Sequence, residues 1–254
     1  MIRRLKTRPP DHSELTGLSY IQNLEHKRTY RYEKVYCVDK SPLDCNFPVF
    51  FYGKHNGGGH LFIDYIFSKK EFLEEHKDCK TALEVCSGPG FIGFYLYKYL
   101  NLDFINFVDI NGEVEESVNK TIQHNNVNGK FFTSDALDDY TGDKVDLIVM
   151  NPPFFTTEEE FNKHIEICGI DNKESIERSR LITLDKNFKF HSKLIDKCLD
   201  ILTDNGRIVF LEVINNIEPS KIINKLKGGK RMTNRQFKVE SQIPNYYTLT
   251  IYKK

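Results

Sequence analysis

Leu83-Glu84-Val85-Cys86-Ser87-Gly88-Pro89-Gly90-Phe91-Ile92-Gly93 joins an apolar run to a helix through a glycine turn, and its reading decides the fold. Thr81 to Cys86 is short, apolar and closed by turn residues, which suits a strand buried on both faces of a parallel sheet. Gly88 and Gly90 let the backbone turn tightly and approach a ligand closely, because no Cβ is in the way. Phe91 to Leu100 reads as a helix rich in aromatics, and the free N–H groups of its first turn point over the strand end. A glycine pair alone is weak evidence, since ordinary turns also use glycine.

Downstream, the same unit repeats. Asp103 to Ile110 reads as a second strand, Gly112 to Asn126 as a helix, and Lys130 to Thr133 as the start of a third strand. Val145 to Met150 is a fourth strand, stopped by Pro152 and Pro153, which cannot continue a central strand. Phe190, Leu194, Cys198 and Leu202 recur at helical spacing, with Ile195 and Leu199 beside them. Asp204-Asn205-Gly206 reads as the end of that helix and Arg207 to Val213 as a fifth strand. Ile217 to Lys225 can form one more helix, and Phe237 to Lys253 two extended segments joined at Pro244-Asn245. Strict alternation predicts an α/β fold with a doubly wound, mostly parallel seven-stranded sheet and an antiparallel edge. Residues 1–75 read as a small N-terminal attachment on the substrate side, with Phe47 to Tyr52 extended, Gly57 to Gly59 following, then Leu61 to Phe67 and an acidic helical stretch. Residues 76–254 form the main domain. The polar, weakly periodic stretch from Phe155 to Asp185 reads as a mobile lid.

Three further features fall at strand ends. Asp109 closes the second strand roughly twenty residues after the glycine turn, where an acid can accept both hydroxyls of a ribose, with Ile110 next to it. Asp135, followed by Ala136, closes the third strand, where a carboxylate can meet an adenine amino group. At the fourth, Asn151-Pro152-Pro153-Phe154 is locked extended by its prolines. The Asn151 side chain and the Pro152 carbonyl can both accept from one NH2 group, and Phe154 offers a ring face to a planar amide or base. Each acid alone is more often a solvated loop residue; three features at successive strand ends are harder to dismiss.

Glu84 to Gly90, Asp109, Asp135 and Asn151 to Phe154 together resemble the class I S-adenosylmethionine methyltransferases that bear an Asn-Pro-Pro-Phe/Tyr motif. That group includes protein glutamine methyltransferases of the HemK/release-factor type and RNA or DNA amino-group methyltransferases. The resemblance covers about residues 78–254 and implies a Rossmann-like methyltransferase fold with S-adenosyl-L-methionine as cofactor. It implies that Glu84, Gly88 and Gly90 surround the cofactor's methionine part, with Cys86 and Ser87 also among the cofactor-binding residues. Asp109 and Ile110 would take the ribose side, Asp135 and Ala136 the adenine edge, and Asn151, Pro152, Pro153 and Phe154 the target nitrogen, with Asn151 also facing the cofactor. Cys86 departs from the family, which usually has glycine there.

The acceptor is read as a planar nitrogen, favoured to be macromolecular, with a free small molecule as a third reading. Arg207 to Val213 resembles the fifth strand of glutamine methyltransferases and favours a protein glutamine. The basic residues Arg3, Arg4, Lys6 and Arg8, the cluster Lys225, Lys227, Lys230, Arg231, Arg235 and Lys238, and Arg178 to Asp185 favour an adenine or guanine amino group of RNA or DNA. The acidic Glu158-Glu159-Glu160 stands against nucleic acid. A non-catalytic cofactor-binding scaffold is the reading of another class, and an intact Asn151 to Phe154 argues against it.

With 36 basic and 36 acidic residues in 254, the chain has no net charge to demand a polyanionic partner. No apolar run is long enough to span a bilayer, and Met1 to Pro10 has no apolar core for a secretory signal. The six cysteines Cys37, Cys45, Cys79, Cys86, Cys168 and Cys198 show no paired spacing, and the eight histidines no ligand spacing. These features predict no metal, no disulfide framework and a reducing, cytoplasmic location. They say nothing of oligomeric state.

Overall fold

The structure is a computed structural model that describes residues 21–25, 32–39, 45–52, 63, 69–171, 173–213, 220, 223–224, 235–243 and 246–253. The basic start from Met1 to Pro10, Gly57 to Gly59, most of Leu61 to Phe67, the cluster from Lys225 to Arg231, and Pro244-Asn245 lie outside the described residues.

Strands β1 (Ile21–Glu25), β2 (Tyr32–Cys37) and β3 (Pro48–Tyr52) form a small antiparallel sheet, followed by helix α1 (Lys70–His76). The main unit then runs β4 (Thr81–Val85), α2 (Phe91–Leu100), β5 (Phe104–Asp109), α3 (Glu115–His124), β6 (Gly129–Thr133) and β7 (Val145–Met150). It continues through α4 (Glu158–Ile167), α5 (Lys173–Thr183), α6 (Lys189–Ile201) and β8 (Leu202–Val213), and closes with β9 (Arg235–Ile243) and β10 (Tyr246–Lys253). The large sheet has seven strands in the order β6-β5-β4-β7-β8-β10-β9. The first five in that order are parallel; β10 runs antiparallel to both β8 and β9. From β4 the chain winds outward to β6, then crosses back to β7. The reversal lies between β4 and β7, and in such sheets ligands bind outside the carboxyl ends of the strands at that crevice.

The apolar runs are continuous because both faces of the sheet are covered. Along β7, Leu147 and Val149 face one layer with Phe91, Phe94 and Leu96 of α2, while Ile148 and Met150 face the other with Leu194, Ile195 and Cys198 of α6. The small sheet shares the first layer: Tyr36 and Phe51 set their rings edge-on to Phe91 at 5.4 and 4.9 Å. The Phe50 N–H donates to Thr121 Oγ1 (2.9 Å) and Asn125 Nδ2 donates to the Pro48 carbonyl (2.8 Å), which fastens β3 to α3.

Four readings need correction. Cys37 and Cys45 are joined in a disulfide, with Cα atoms 5.4 Å apart. The antiparallel pairing of β2 with β3 folds the chain back on itself, so two cysteines with no motif-like spacing become neighbours. Asp204-Asn205-Gly206 does not separate helix from strand: β8 begins at Leu202, and the extra residues are taken up where Val145 pairs Leu202 but Leu147 pairs Arg207. The helix read from Gly112 starts later. Gly112–Val114 is a 3-10 turn, held as the Glu113 N–H donates to Asn111 Oδ1 (3.2 Å).

The stretch after Phe155 is not a polar loop but two helices. Thr157 and Glu160 form a reciprocal capping box at the start of α4, and Phe155, Phe161 and Ile165 make a small core of their own.

Candidate functional site

The turn after β4 is built on left-handed backbone: φ is +55° at Cys86, +49° at Gly88 and +82° at Gly90. Cys86 therefore takes the conformation for which glycine is the usual residue. A Cβ on Gly88 would meet nothing within 4 Å, so the backbone there faces open space, as a ligand-cradling turn requires. Ser87 is buried and tied down on both sides, its N–H donating to the Val108 carbonyl (3.1 Å) and its own carbonyl accepting from Gly90 (2.9 Å).

Glu84 lies beneath this turn, 2% exposed. Its Oε2 accepts from the Gly93 N–H (2.7 Å) in the first turn of α2, where a carboxylate also meets the positive end of the helix. Burial pushes its pKa well above the ordinary value, against the N–H donors of Gly93 and Ile92. Glu84, read from the sequence as a cofactor contact, holds the first turn of α2 through the Gly93 N–H. The fit over it is close. A Cβ at Gly93 would lie 2.6 Å from Glu84 Oε2 and 2.7 Å from the Phe107 ring. Gly93→Ala is expected to destabilise the protein by about 1–3 kcal/mol through overpacking, as a lower denaturation midpoint at unchanged slope.

Asp109 ends β5 directly beside the turn. Oδ2 accepts from the Gly88 N–H (2.7 Å) and Oδ1 from the Asn111 N–H (2.8 Å). Burial raises its pKa, opposed by the N–H groups of Asn111, Gly88 and Ile110. Ile110, next to it, is an apolar side chain left 39% exposed. Cys86 is half-buried, and desolvation, with the Asp109 carboxylate near it, holds its thiol well above the ordinary value. It is no thiolate nucleophile at neutral pH.

At the end of β6, Asp135 is exposed and accepts from Lys193 Nζ (2.8 Å), which also bonds Asp138 (2.7 Å). Ala136 is buried with φ +57°. The Ser134 N–H donates to the Asp109 carbonyl (2.9 Å), which brings the ends of β5 and β6 together. Beyond β7, Pro152 and Pro153 are buried while Asn151 and Phe154 are half-buried. The Phe154 ring lies 4.4 Å from that of Phe155 at 50°. The β4, β5, β6 and β7 features read from sequence are therefore all at carboxyl strand ends, with the glycine turn and Asp109 in direct contact.

One group of buried charges was missed by the sequence reading. His191 of α6 bonds Asp185 Oδ2 through Nδ1 (2.6 Å) and Glu212 Oε1 through Nε2 (2.9 Å). All three are buried, with 2%, 2% and 0% exposure for Asp185, His191 and Glu212. Burial opposes the imidazolium, but the charge of Glu212 and the bond to Asp185 outweigh it and raise His191 to about 9. Desolvation pushes Asp185 up, yet His191 and the Phe190 N–H hold it below the usual carboxylate value, whereas Glu212 is raised by burial. A signal was present. His191 stands three and four residues before Leu194 and Ile195 on the apolar face of a helix, and Glu212 interrupts the apolar run from Ile208 to Val213. Both positions demand a partner. With both ring nitrogens bonded and 2% exposure, His191 is not placed to exchange protons with a substrate. Among the described residues no set of three His, Cys, Asp or Glu side chains is grouped to hold a metal, and no helix is long and apolar enough to cross a membrane.

Comparison with known proteins finds likeness to methyltransferases. Residues 48–167 match the methyltransferase small domain family. The release factor glutamine methyltransferase of Lactococcus lactis is 27% identical over 140 residues, which are 55% of this chain and 49% of that protein. The ribosomal RNA small subunit methyltransferase C of Haemophilus influenzae (strain PittEE) is 39% identical over 73 residues, 29% of this chain and 22% of that one. The chain thus spans about half the length of the first relative and about a fifth of the second. Among solved structures, a 16S rRNA guanine-N2 methyltransferase of Thermus thermophilus, in complex with AdoMet and guanosine, superimposes with TM-score 0.55. It is 13% identical, and the match covers 93% of this chain and 51% of that one. The fold is the Rossmann-like methyltransferase fold.

Proposed function

We propose that this chain is an S-adenosylmethionine-dependent N-methyltransferase that acts on a planar amide or amino nitrogen. The observation that carries this reading is the placing, at the neighbouring carboxyl ends of β4, β5 and β7, of a left-handed turn open above Gly88, the buried Asp109 carboxylate bonded to it, and the proline-stiffened Asn151 to Phe154. The match of residues 48–167 to the methyltransferase small domain supports it.

The residues present fit the cofactor. Gly88 offers backbone without side-chain obstruction to the methionine part, whereas at Gly90, expected from the sequence to do the same, a Cβ would meet the Phe94 and Phe107 rings at 2.8 Å, so that glycine serves packing. Asp109 offers carboxylate oxygens to the ribose hydroxyls, and Ile110 an apolar flank to the adenine. Asp135 and Ala136 lie at the adenine edge. The cofactor, when bound, supplies an electrophilic methyl group on a sulfonium.

The protein's part in the reaction is positional and electrostatic. An amide or aromatic amine nitrogen is a poor nucleophile because its lone pair is delocalised. The Asn151 side-chain oxygen and the Pro152 carbonyl accept from the two N–H bonds of the target, return electron density to nitrogen and aim its lone pair. Phe154 covers one face of the planar group. As positive charge grows on nitrogen both acceptors strengthen, so they bind the transition state better than the substrate. The proton leaves after transfer, and no general base is needed.

The acceptor we favour is a glutamine side chain of a protein, supported by the Lactococcus relative, whose similarity runs through more of this chain than that of the rRNA enzyme. A guanine amino group of ribosomal RNA is the second reading, favoured by the higher identity of the shorter Haemophilus segment and by the Thermus fold match. In either case residues 1–75 are proposed to lie on the acceptor side. Incubating the protein with methyl-labelled S-adenosylmethionine and, separately, a release-factor-type protein and small-subunit ribosomal RNA tests both. Label recovered as N-methylglutamine is the expected result; label recovered as methylguanine selects the second reading, and no transfer to either, with cofactor bound, overturns the acceptor class.

A further inference from the structure

We propose that the buried Asp185, His191 and Glu212 are positioning residues for the acceptor turn, fastening the chain that leaves Asn151 to Phe154 onto the carboxyl end of β8. The proposal rests on the methyl-transfer reading of that turn. The connection can be followed bond by bond. Directly after Phe154, the Phe155 N–H donates to the Thr183 carbonyl (2.9 Å) and the Phe155 carbonyl accepts from Asp185 (2.8 Å). The Asn187 N–H donates to the Thr156 carbonyl (3.2 Å) and extends the same short ladder. The Asp185 side chain then caps α6, accepting from the Phe190 and His191 N–H groups (2.8 and 3.1 Å) as well as from the His191 ring. His191 reaches across to Glu212, two residues beyond Phe210, which pairs with Met150 at the end of β7. The path therefore closes on itself: from β7 through the acceptor turn, the ladder, α6 and β8, back to β7.

Stability alone does not call for such a set. Well-packed apolar residues usually serve a core as well as a buried ion pair does, whereas bonds to both nitrogens of one ring fix a single arrangement of the elements that carry them. Among the described residues, aromatic rings close the set in. Phe210 of β8 stacks on the His191 ring (6.1 Å, 18°) and Phe188 meets it edge-on (5.9 Å). Among the described residues, the titratable groups facing it from other elements are Asp185 before α6, Glu212 on β8, Tyr247 paired with Glu212 from β10, and Cys86 beyond β4, close enough to feel Glu212. None of these is a cation that could replace His191.

The fastening is pH-dependent with a definite sign. The His191 pKa in the fold is about 9, above its ordinary 6.5, so the contribution is complete below about 6.5 and is lost as pH rises through about 9.

The test uses His191→Gln in the full chain, with Glu212→Gln as the second variant should the first not fold. Amide hydrogen exchange at pH 7, without cofactor or acceptor, is expected to speed up about tenfold or more at Phe155, Asp185 and Asn187 while β4 and β5 keep their protection. Single-turnover methyl transfer is expected to fall about 10- to 100-fold with cofactor affinity unchanged, the range for slight misplacement of a reacting group. The wild-type rate should decline as pH passes about 9, and that decline should be absent from His191→Gln, which has nothing to titrate. A folded variant with wild-type exchange at the three amides overturns the proposal, as does protection lost uniformly through the sheet. Should wild type transfer no methyl group at all, the methyl-transfer reading fails, and the exchange result still decides whether the set fastens the turn.

Discussion

Asn151→Ala is expected to leave cofactor affinity nearly intact while lowering single-turnover methyl transfer about 10²–10³-fold, the usual loss for one preorganised electrostatic partner. The expectation follows from where Asn151 sits. It is half-buried at the end of β7, past the last sheet pair at Met150 and Phe210, so its side chain supports no strand pairing. Pro152 and Pro153 are buried and hold the backbone whatever residue precedes them. Truncation should therefore change the chemistry available to the acceptor more than it changes the fold. Asn151→Asp separates the possibilities further. A carboxylate keeps an acceptor oxygen in place and adds negative charge near a nitrogen that becomes positive, so Asp should retain more activity than Ala. Were Asn151 needed only to shape the turn, both variants would lose stability together and turnover would fall only with the folded fraction. Melting temperature, calorimetric cofactor affinity and single-turnover rate, measured on the three proteins, distinguish the outcomes. Full activity in folded Asn151→Ala would overturn the acceptor role.

The parts of this molecule that were legible in its sequence are those governed by short-range rules. The run from Val145 to Met150 is apolar at every position but Asp146 because both sheet faces are covered, and two prolines end it; the strand was read to the residue. Helix α2 was equally clear, since Gly90 opens it and a left-handed Asn101 closes it. What sequence could not deliver depends on distant register. The disulfide between Cys37 and Cys45 exists through the β2–β3 pairing, and the irregularity in β8 exists because Val145 pairs Leu202 while Leu147 pairs Arg207. Asp146 shows how a charge ends up half-buried inside such a strand. It accepts from the Lys80 and Thr81 N–H groups (2.9 and 3.1 Å) and from the Thr203 hydroxyl (2.9 Å), which knits β7 to both neighbours. The candidate site divides along the same line. Glycines, Asp109 and Asn151 to Phe154 announce themselves by position, but Glu84 turned inward and the partners of His191 emerge only when helix and strand are packed together.

Asp109→Ala should weaken cofactor binding by more than about a hundredfold, and its effect on binding should exceed its effect on stability. Two hydrogen bonds from ribose hydroxyls to a carboxylate are lost, each worth roughly 1.5–3 kcal/mol. The structure adds a second loss. Oδ2 and Oδ1 hold the Gly88 and Asn111 N–H groups, so removal of the carboxylate frees the glycine turn proposed to meet the cofactor. Stability responds less because two contributions oppose one another. Alanine leaves two N–H groups without their acceptor, which destabilises. Yet the Asp109 pKa is raised in the fold, so the ionised carboxylate is the disfavoured form there. A group with a raised pKa adds stability at low pH and withdraws it as pH climbs through that pKa, so at neutral pH its removal also relieves a desolvation penalty. Asp109→Asn is the informative companion, because it keeps one acceptor oxygen for the turn but turns an NH2 toward the second N–H. It should bind the cofactor between wild type and alanine. Calorimetric titration with S-adenosylmethionine, together with denaturant unfolding of all three proteins, measures both quantities. Unchanged affinity in a folded Asp109→Ala would remove Asp109 from the cofactor site and leave it as a support of the turn alone.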